Sequence, residues 1–336
     1  MPAEDVTTLD AFNRAAPRLF VLTGAGCSTA SGITAYRDEK GEWKPKPPVQ
    51  YQDFVASPQT RQRYWARSLV GWARVSRARP ARAHQALAIL EARGAVATLV
   101  TQNVDGLHQK AGSREVIDLH GRLDTVRCLD CAKTVFRESM QIDLVQRNPR
   151  WAHLDAPDAP DGDAQLTGPF DDVEVPACPG CGGVLKPDVV FFGENVPKPR
   201  VADCYAALAE ADGVLVVGSS LMVFSGYRFC LAAAQAGKPV ALVNRGRTHA
   251  DDLATLSVEG DCGEVLGNPG AGSRLGRSYG QSANPTTIRV AEAILLPPKG
   301  SFSTTEPSTA AKSTEVSRRT AMRPIDPCES AHTAMP

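Results

Sequence analysis

Short, wholly apolar runs alternate along this chain with longer stretches whose apolar residues recur at helical spacing. Leu19–Leu22, Val96–Val100, Gly213–Gly218 and Pro239–Val243 read as buried strands. Residues 57–75, Ala83–Arg93, Val201–Ala211 and Tyr227–Ala236 read as helices, with Gly94 and Gly237 placed as C-terminal stops. In the first helix Trp65, Leu69 and Trp72 share one face and belong to the core, whereas Tyr64 and Arg67, three apart, share another. Strand–helix alternation with short Gly and polar turns predicts an α/β fold with a doubly wound parallel sheet. Each strand runs into small or hydrogen-bonding residues: Thr23-Gly24, Thr101-Gln102-Asn103, Gly218-Ser219-Ser220 and Asn244-Arg245. Polar groups gathered where parallel strands end mark the ligand crevice of such a sheet. One such cluster could be a tight turn; its repetition favours a nucleotide.

Two stretches add chemistry. After the first strand comes Gly24-Ala25-Gly26-Cys27-Ser28, where glycines let backbone N–H groups approach a phosphate and the start of a following helix adds a favourable dipole. The dinucleotide fingerprint G-x-G-x-x-G is not met, because Thr29 stands where its third glycine belongs. Residues 33–43 then read as a polar loop able to close over a ligand. The second stretch, Thr101–Gly121, carries Asp105, His108 and, after another apolar pulse, His120. Imidazole, with an unperturbed pKa of about 6.5, suits a base working near neutrality. His108 follows a Gly-Leu step at a helix start and is expected to be structural. Further on, Leu185–Glu194 is a β-rich run whose flat edge, from Val189 to Glu194, can pair with an extended peptide, although alone it also reads as an ordinary buried strand.

Cysteine usage changes the picture between residues 122 and 184. Cys128-x-x-Cys131 and Cys178-x-x-Cys181 each present two thiolates from one tight turn, and four thiolates complete a closed, structural zinc site. Asp155–Asp172, rich in Asp, Pro and Gly, is expected to be a solvated loop. Nine cysteines, an odd number, point to metal binding in a reducing compartment, with the cytosol as default. A formal net charge of zero gives no general field to recruit nucleic acid or an anionic membrane. No apolar run reaches the roughly 18 residues of a membrane span, and Glu4, Asp5 and Asp10 argue against a targeting presequence. Residues 268–336, rich in Pro, Ser and Thr, are expected to be a disordered tail with at most a short helix at Ile288–Leu296.

Taken together, these motifs resemble the sirtuins, NAD-dependent protein-lysine deacylases, over about residues 12–267. The resemblance rests on Gly24-Ala25-Gly26-x-Ser28, Ser31-Gly32-Ile33, Thr101-Gln102-Asn103-Val104-Asp105-x-Leu107-His108, Leu119-His120-Gly121, the four cysteines, Lys186-Pro187-x-Val189-Val190-x-Phe192-Gly193-Glu194 and Gly218-Ser219-Ser220-Leu221. Arg63-Tyr64-Trp65-Ala66-Arg67 and Val223-Phe224-Ser225-Gly226-Tyr227 most resemble the class II branch, that of mitochondrial sirtuin 4. It implies a Rossmann-like, NAD-binding core at 12–121 and 185–267 with a zinc-binding insert at about 122–184. Gly24, Ala25, Gly26, Ser28 and Arg37 would hold the pyrophosphate and the nicotinamide side of NAD. Gln102 and Asn103 would contact the nicotinamide ribose and its ordered water, Asn103 serving catalysis with His120, and Val104 and Asp105 would recognise the carboxamide. Gly218, Ser219, Ser220, Asn244, Arg245 and Cys262 would line the adenosine end. Val190, Phe192, Gly193, Glu194, Phe224 and Ser225 would meet the acyl-lysine protein. In the family reaction the acyl oxygen attacks the nicotinamide ribose carbon and expels nicotinamide. With the base's help, O-acyl-ADP-ribose and free lysine are released.

Two features modify that expectation. The family usually has Pro-Asp before the loop arginine, and here Thr34-Ala35 stand there, removing a rigid residue and a carboxylate. Weak turnover is one consequence to expect. Mono-ADP-ribosyl transfer, or NAD sensing without catalysis, are the alternatives. Tyr64 and Arg67 match a Tyr-x-x-Arg pair that binds the distal carboxylate in sirtuins removing acidic acyl groups, so the resemblance implies a preference for glutaryl-type or hydroxymethylglutaryl-type lysine over acetyl-lysine.

Overall fold

The computed structural model describes residues 8–36, 48–160 and 163–267, together with the backbone of 287–290. The chain begins with α1 (Leu9–Ala15), β1 (Leu19–Thr23), α2 (Tyr51–Ala56), α3 (Pro58–Arg77), α4 (Arg82–Ala92), β2 (Val96–Thr101), α5 (Leu107–Ala111) and β3 (Val116–Asp118). It continues through β4 (Gly121–Cys128), β5 (Thr134–Phe136), α6 (Arg137–Arg147), α7 (Pro149–Ala152), β6 (Asp158–Ala159), β7 (Asp163–Ala164) and β8 (Leu185–Val189). The last elements are α8 (Lys198–Glu210), β9 (Gly213–Val217), α9 (Phe224–Gln235), β10 (Val240–Asn244), β11 (Leu256–Glu259), α10 (Cys262–Val265) and β12 (Thr287–Val290).

The main sheet has the order β12-β11-β10-β9-β1-β2-β3, parallel throughout except for β12, which runs antiparallel to β11. Helices cover both faces, and that is why the central strands are continuous apolar runs. In β1, Phe20 and Leu22 enter the cluster with Phe229, Cys204 and Leu242, while Leu19 and Val21 enter the opposite one with Phe12, Leu87 and Leu215. The doubly wound parallel architecture is the one the sequence predicts.

The smaller lobe departs from expectation in how it recruits the chain. Its antiparallel sheet, β5-β4-β8, takes Leu185–Val189 away from the parallel core to which residues 185–267 were expected to belong. The apolar face of α3 packs there too. Trp65 and Leu69 lie with Val126, Met140, Leu144, Trp151 and Leu185, and Trp65 Nε1 donates to the Leu185 carbonyl at 3.3 Å. A single strand–loop insert could not cover both faces of so small a sheet, and α3 supplies the missing layer.

The expected solvated loop contains the hairpin β6/β7, anchored by buried Ala156, Ala159 and Ala164. Three small apolar residues let it lie flat on α3, something its Asp, Pro and Gly content conceals. Thr287–Val290, within the expected disordered tail and at the start of its expected short helix, pairs as a strand instead. The remainder of that tail lies outside the described residues.

Candidate active site

Four parallel strands end on one edge of the main sheet, and the residues after them are tied together. Gln102, just past β2, donates through Nε2 to Ser219 Oγ at 2.8 Å and to the Thr23 carbonyl at 3.2 Å, linking the ends of β1, β2 and β9. Asn103 Nδ2 donates to the Gly24 carbonyl at 3.0 Å and to Ser28 Oγ at 2.9 Å. The glycine loop lies backbone to backbone on the β9 end, with Gly26 N–H donating to the Gly218 carbonyl at 2.8 Å. A Cβ on Gly24 would stand 2.7 Å from Ser219 Cβ, so only glycine fits there. The loop continues as two 3-10 turns, Ala25–Cys27 and Thr29–Ser31, and not as the α-helix expected. Turns this short leave no room for a helix dipole, so close backbone packing is what shapes this corner.

The rim opens onto a cleft of ≈ 780 Å³ that runs between the two lobes. Gly24, Ala25, Gly26, Gln102, Asn103 and Val104 line it, as do Gly218, Ser219, Ser220, Asn244, Arg245 and Cys262. Tyr64, Arg67, His120, Val190, Phe192, Gly193, Glu194, Phe224 and Ser225 line it as well. Its size suits a dinucleotide and an acyl chain together, and the glycine cradle with amide and hydroxyl donors around it fits NAD. Arg37 lies outside the described residues.

Ser28 and Asp105 do not line the cleft. They form a hydrogen-bonded layer behind it, in which Ser28 Oγ donates to Asp105 Oδ2 at 2.7 Å and accepts from Asn103, while Asp105 Oδ1 accepts Leu107 N–H at 2.9 Å. His84 Nδ1 accepts the Ala81 N–H at 3.1 Å, so its proton is on Nε2, which faces Ser28 Oγ at 3.3 Å. His108 is buried in this layer, with Nε2 at 2.9 Å from Thr23 Oγ1. Burial, then the neighbouring His84, pushes its pKa down to about 3. Cys27, His84 and His108 converge, but the tautomer of His84 turns a proton and not a lone pair toward Ser28. They form a polar core beneath the cofactor rim and not a metal centre.

His120 sits where β3 hands over to β4. Its Nδ1 lies 2.9 Å from the Gln102 carbonyl, which only accepts, so Nδ1 carries the proton of the neutral ring. Nε2 is then the acceptor, and Ser225 Oγ stands 2.8 Å from it. Burial holds the imidazole at about 4, well below the unperturbed value that the sequence suggested. Gly121 (φ +81°) makes the adjoining strand crossing possible, since a Cβ there would lie 2.0 Å from the Asp188 carbonyl oxygen. Val190 N–H donates to the His120 carbonyl at 2.7 Å and so couples His120 to the next wall of the cleft.

That wall is Val190–Glu194, and it is bonded more internally than its sequence suggests. Tyr51 N–H and Gln52 Nε2 take the Phe192 and Gly193 carbonyls at 2.8 and 2.9 Å. Glu194 Oε2 accepts Phe191 N–H at 2.9 Å and pairs with the buried Lys186 Nζ at 3.0 Å. Glu194 thus fixes the shape of this edge. Opposite, on α3, Arg67 Nη2 lies 2.6 Å from Asp163 Oδ2, and its Nε donates to the Ala164 carbonyl at 2.9 Å. Asp163 lines the cleft and was not foreseen, because an Asp in an Asp-rich loop carries no periodic signal.

In the smaller lobe the four cysteines come together, with Sγ atoms all within 4.8 Å of one another and with closest pairs at 3.5 Å (Cys128–Cys181) and 3.7 Å (Cys131–Cys178). A tetrahedron with zinc–sulfur bonds of about 2.3 Å has edges of about 3.8 Å. The thiols fit a structural zinc.

Comparison with known proteins points the same way. The sequence pattern of the Sir2 family matches residues 24–225. An "NAD-dependent protein deacetylase" of Xanthomonas campestris pv. campestris (strain 8004) is 62% identical over 250 residues, covering 74% of this chain and 85% of that protein. One of the same name from Bordetella bronchiseptica (strain ATCC BAA-588 / NCTC 13252 / RB50) is 59% identical over 263 residues, covering 78% and 96%. A solved structure described as "Sir2-p53 peptide-NAD+" superposes with a TM-score of 0.61 at 28% identity, covering 78% of this chain and 96% of that one.

Proposed function

The chain belongs to the Sir2 family, the sirtuins, and from that premise we propose how its cleft carries out NAD-dependent protein-lysine deacylation. When bound, NAD supplies an activated ribose carbon that receives the acyl oxygen as nicotinamide leaves, so the acyl group departs as O-acyl-ADP-ribose. The chain's own part is to orient, to accept a proton and to exclude water. We assign the base to His120, and one observation carries that reading. The Gln102 carbonyl fixes the Nδ1–H tautomer, which leaves Nε2 as a proton acceptor in the cleft. Ser225 lies on that nitrogen in the free enzyme, and a substrate hydroxyl takes its place.

The remaining roles follow from position. Gly24, Ala25 and Gly26 receive the pyrophosphate, Gln102, Asn103 and Val104 the nicotinamide side, and Ser219, Ser220, Asn244, Arg245 and Cys262 the adenosine end; their place on the cleft rim supports this. Asp105 and Ser28 act from behind, holding Asn103 and the glycine loop. Val190, Phe192, Gly193 and Phe224 present the peptide side. Four cysteines hold zinc and keep the smaller lobe folded, and thiolates in that role favour the cytosol. No helix among the described residues is long and apolar enough to cross a membrane. The wording around Tyr64 and Ser225 supports a place in the class II branch, while the relatives described above are bacterial deacetylases. Acetyl-lysine is the substrate we assign first, because Asp163 already neutralises the arginine expected to receive an acidic acyl group.

Mass spectrometry on an acetyl-lysine peptide incubated with enzyme and NAD tests the assignment. Nicotinamide, O-acetyl-ADP-ribose and free lysine are expected. ADP-ribosylated peptide, or unchanged NAD, overturns it.

A further inference from the structure

The wall of the cleft built by α3 and the hairpin β6/β7 holds an ion pair that the deacylation chemistry does not use. Arg67 and Asp163 both line the cleft, 2.6 Å apart, with side chains 17% and 22% exposed. A second N–H of the guanidinium, on Nε, is taken by the Ala164 carbonyl at 2.9 Å, so the hairpin engages two edges of the fork. The hairpin is not free to drift, since Ala164 is fully buried against the lobe. Behind this wall, Arg137 is buried over Trp65 and Trp72 and donates to Ser68, another cleft residue, at 3.2 Å. Arg67 thus stands on the cleft wall with its guanidinium already matched to a carboxylate that the chain itself supplies.

We propose that Asp163 sets acyl selectivity by occupying Arg67, so that a neutral acyl chain is accepted and one ending in a carboxylate is disfavoured. This rests on the deacylase reading. A dicarboxylic acyl chain that reaches the wall meets a guanidinium already paired and a like charge beside it. To bind, it must displace Asp163, exchanging one charge-assisted pair for another with no net gain. An acetyl group has no such charge and makes no demand on Arg67. Removing the aspartate's charge while keeping its shape leaves Arg67 uncompensated, and the preference shifts toward succinyl- and glutaryl-lysine.

The full chain, loaded with zinc, is compared with Asp163→Asn on peptides of one sequence carrying acetyl-, succinyl- or glutaryl-lysine. The ratio of kcat/KM for glutaryl over acetyl is expected to rise about 10- to 100-fold, the range for gaining one charge-assisted bond. Asp163→Glu keeps the parent ratio, and adding Arg67→Ala to Asp163→Asn removes the gain. Calorimetry of glutaryl peptide without NAD follows the same order. An unchanged ratio and affinity in Asp163→Asn overturns the proposal, as does a gain that survives Arg67→Ala. If the parent releases no acyl group from any peptide, the deacylase reading falls, and the calorimetric series still decides what Asp163 does.

Discussion

His108 makes the fold acid-labile by a predictable amount. It lies fully buried between β1 and α4, with Nε2 on Thr23 Oγ1, and among the described residues its Nδ1 has no hydrogen-bond partner. In the unfolded chain it titrates near 6.5, whereas burial holds it at about 3 in the folded protein. Below pH 6.5 the unfolded state therefore binds a proton that the folded state refuses. Stability is fully present above 6.5 and is lost as the pH falls toward 3. Each pH unit in that window costs about 1.4 kcal/mol, so at pH 5.0 His108 alone removes about 2 kcal/mol. Urea denaturation of the zinc-loaded protein at pH 7.5 and 5.0 measures the loss. Zinc release and other groups add their own proton dependence, so the informative quantity is the difference from His108→Gln, whose amide can still donate to Thr23. The variant should lose about 2 kcal/mol less than the parent over the same interval. Equal losses would refute burial of a neutral His108 as the cause.

Four further outcomes follow from the site. His120→Ala should lower kcat about 100- to 10,000-fold while calorimetry finds NAD affinity nearly kept; turnover within tenfold of the parent moves the role to another residue. Because His120 is held near 4 in the free enzyme, the acid limb of kcat/KM should lie below pH 5, and a limb centred near 6.5 would contradict its desolvation. Cys128→Ser or Cys181→Ser should lose zinc and destabilise the smaller lobe, since metal binding there is coupled to folding; full zinc content by elemental analysis in the double variant removes the four-cysteine site. Gly24→Ala drives a methyl against Ser219 and should raise KM for NAD about tenfold or more with zinc content unchanged, and an unaltered KM shows that the loop yields.

How much of this was legible beforehand depends on whether the controlling interaction is local. Strands buried on both faces announce themselves as apolar runs, and Leu19–Leu22, Val96–Val100 and Gly213–Gly218 lie where they were expected. Paired cysteines in tight turns specify a metal through their spacing, and the four thiols converge. The failures have a common cause. Leu185–Val189 has the composition of a core strand, and only its pairing with Cys128, Arg127 and Val126 moves it to the other sheet. Asp163 is one acidic residue among many in its loop, and nothing local announces that it will meet Arg67. Ile288 lies in an apolar patch that suits helix or strand equally, and the neighbouring edge of β11 decides.

The imidazole illustrates the same limit within the site itself. Family resemblance nominated His120, yet the property that suits it to the proposed role of base, a fixed Nδ1–H tautomer, comes from the backbone carbonyl of Gln102 eighteen residues earlier. The side chain of that same Gln102 ties Thr23 to Ser219 across three strand ends. One residue thus sets the orientation of the His120 ring through its main chain and the geometry of the cleft rim through its amide. A substitution at Gln102 that shortened the side chain would loosen the rim but leave the carbonyl, and with it the tautomer, in place. Cofactor affinity and base chemistry should therefore separate at this position, although both depend on the same strand end.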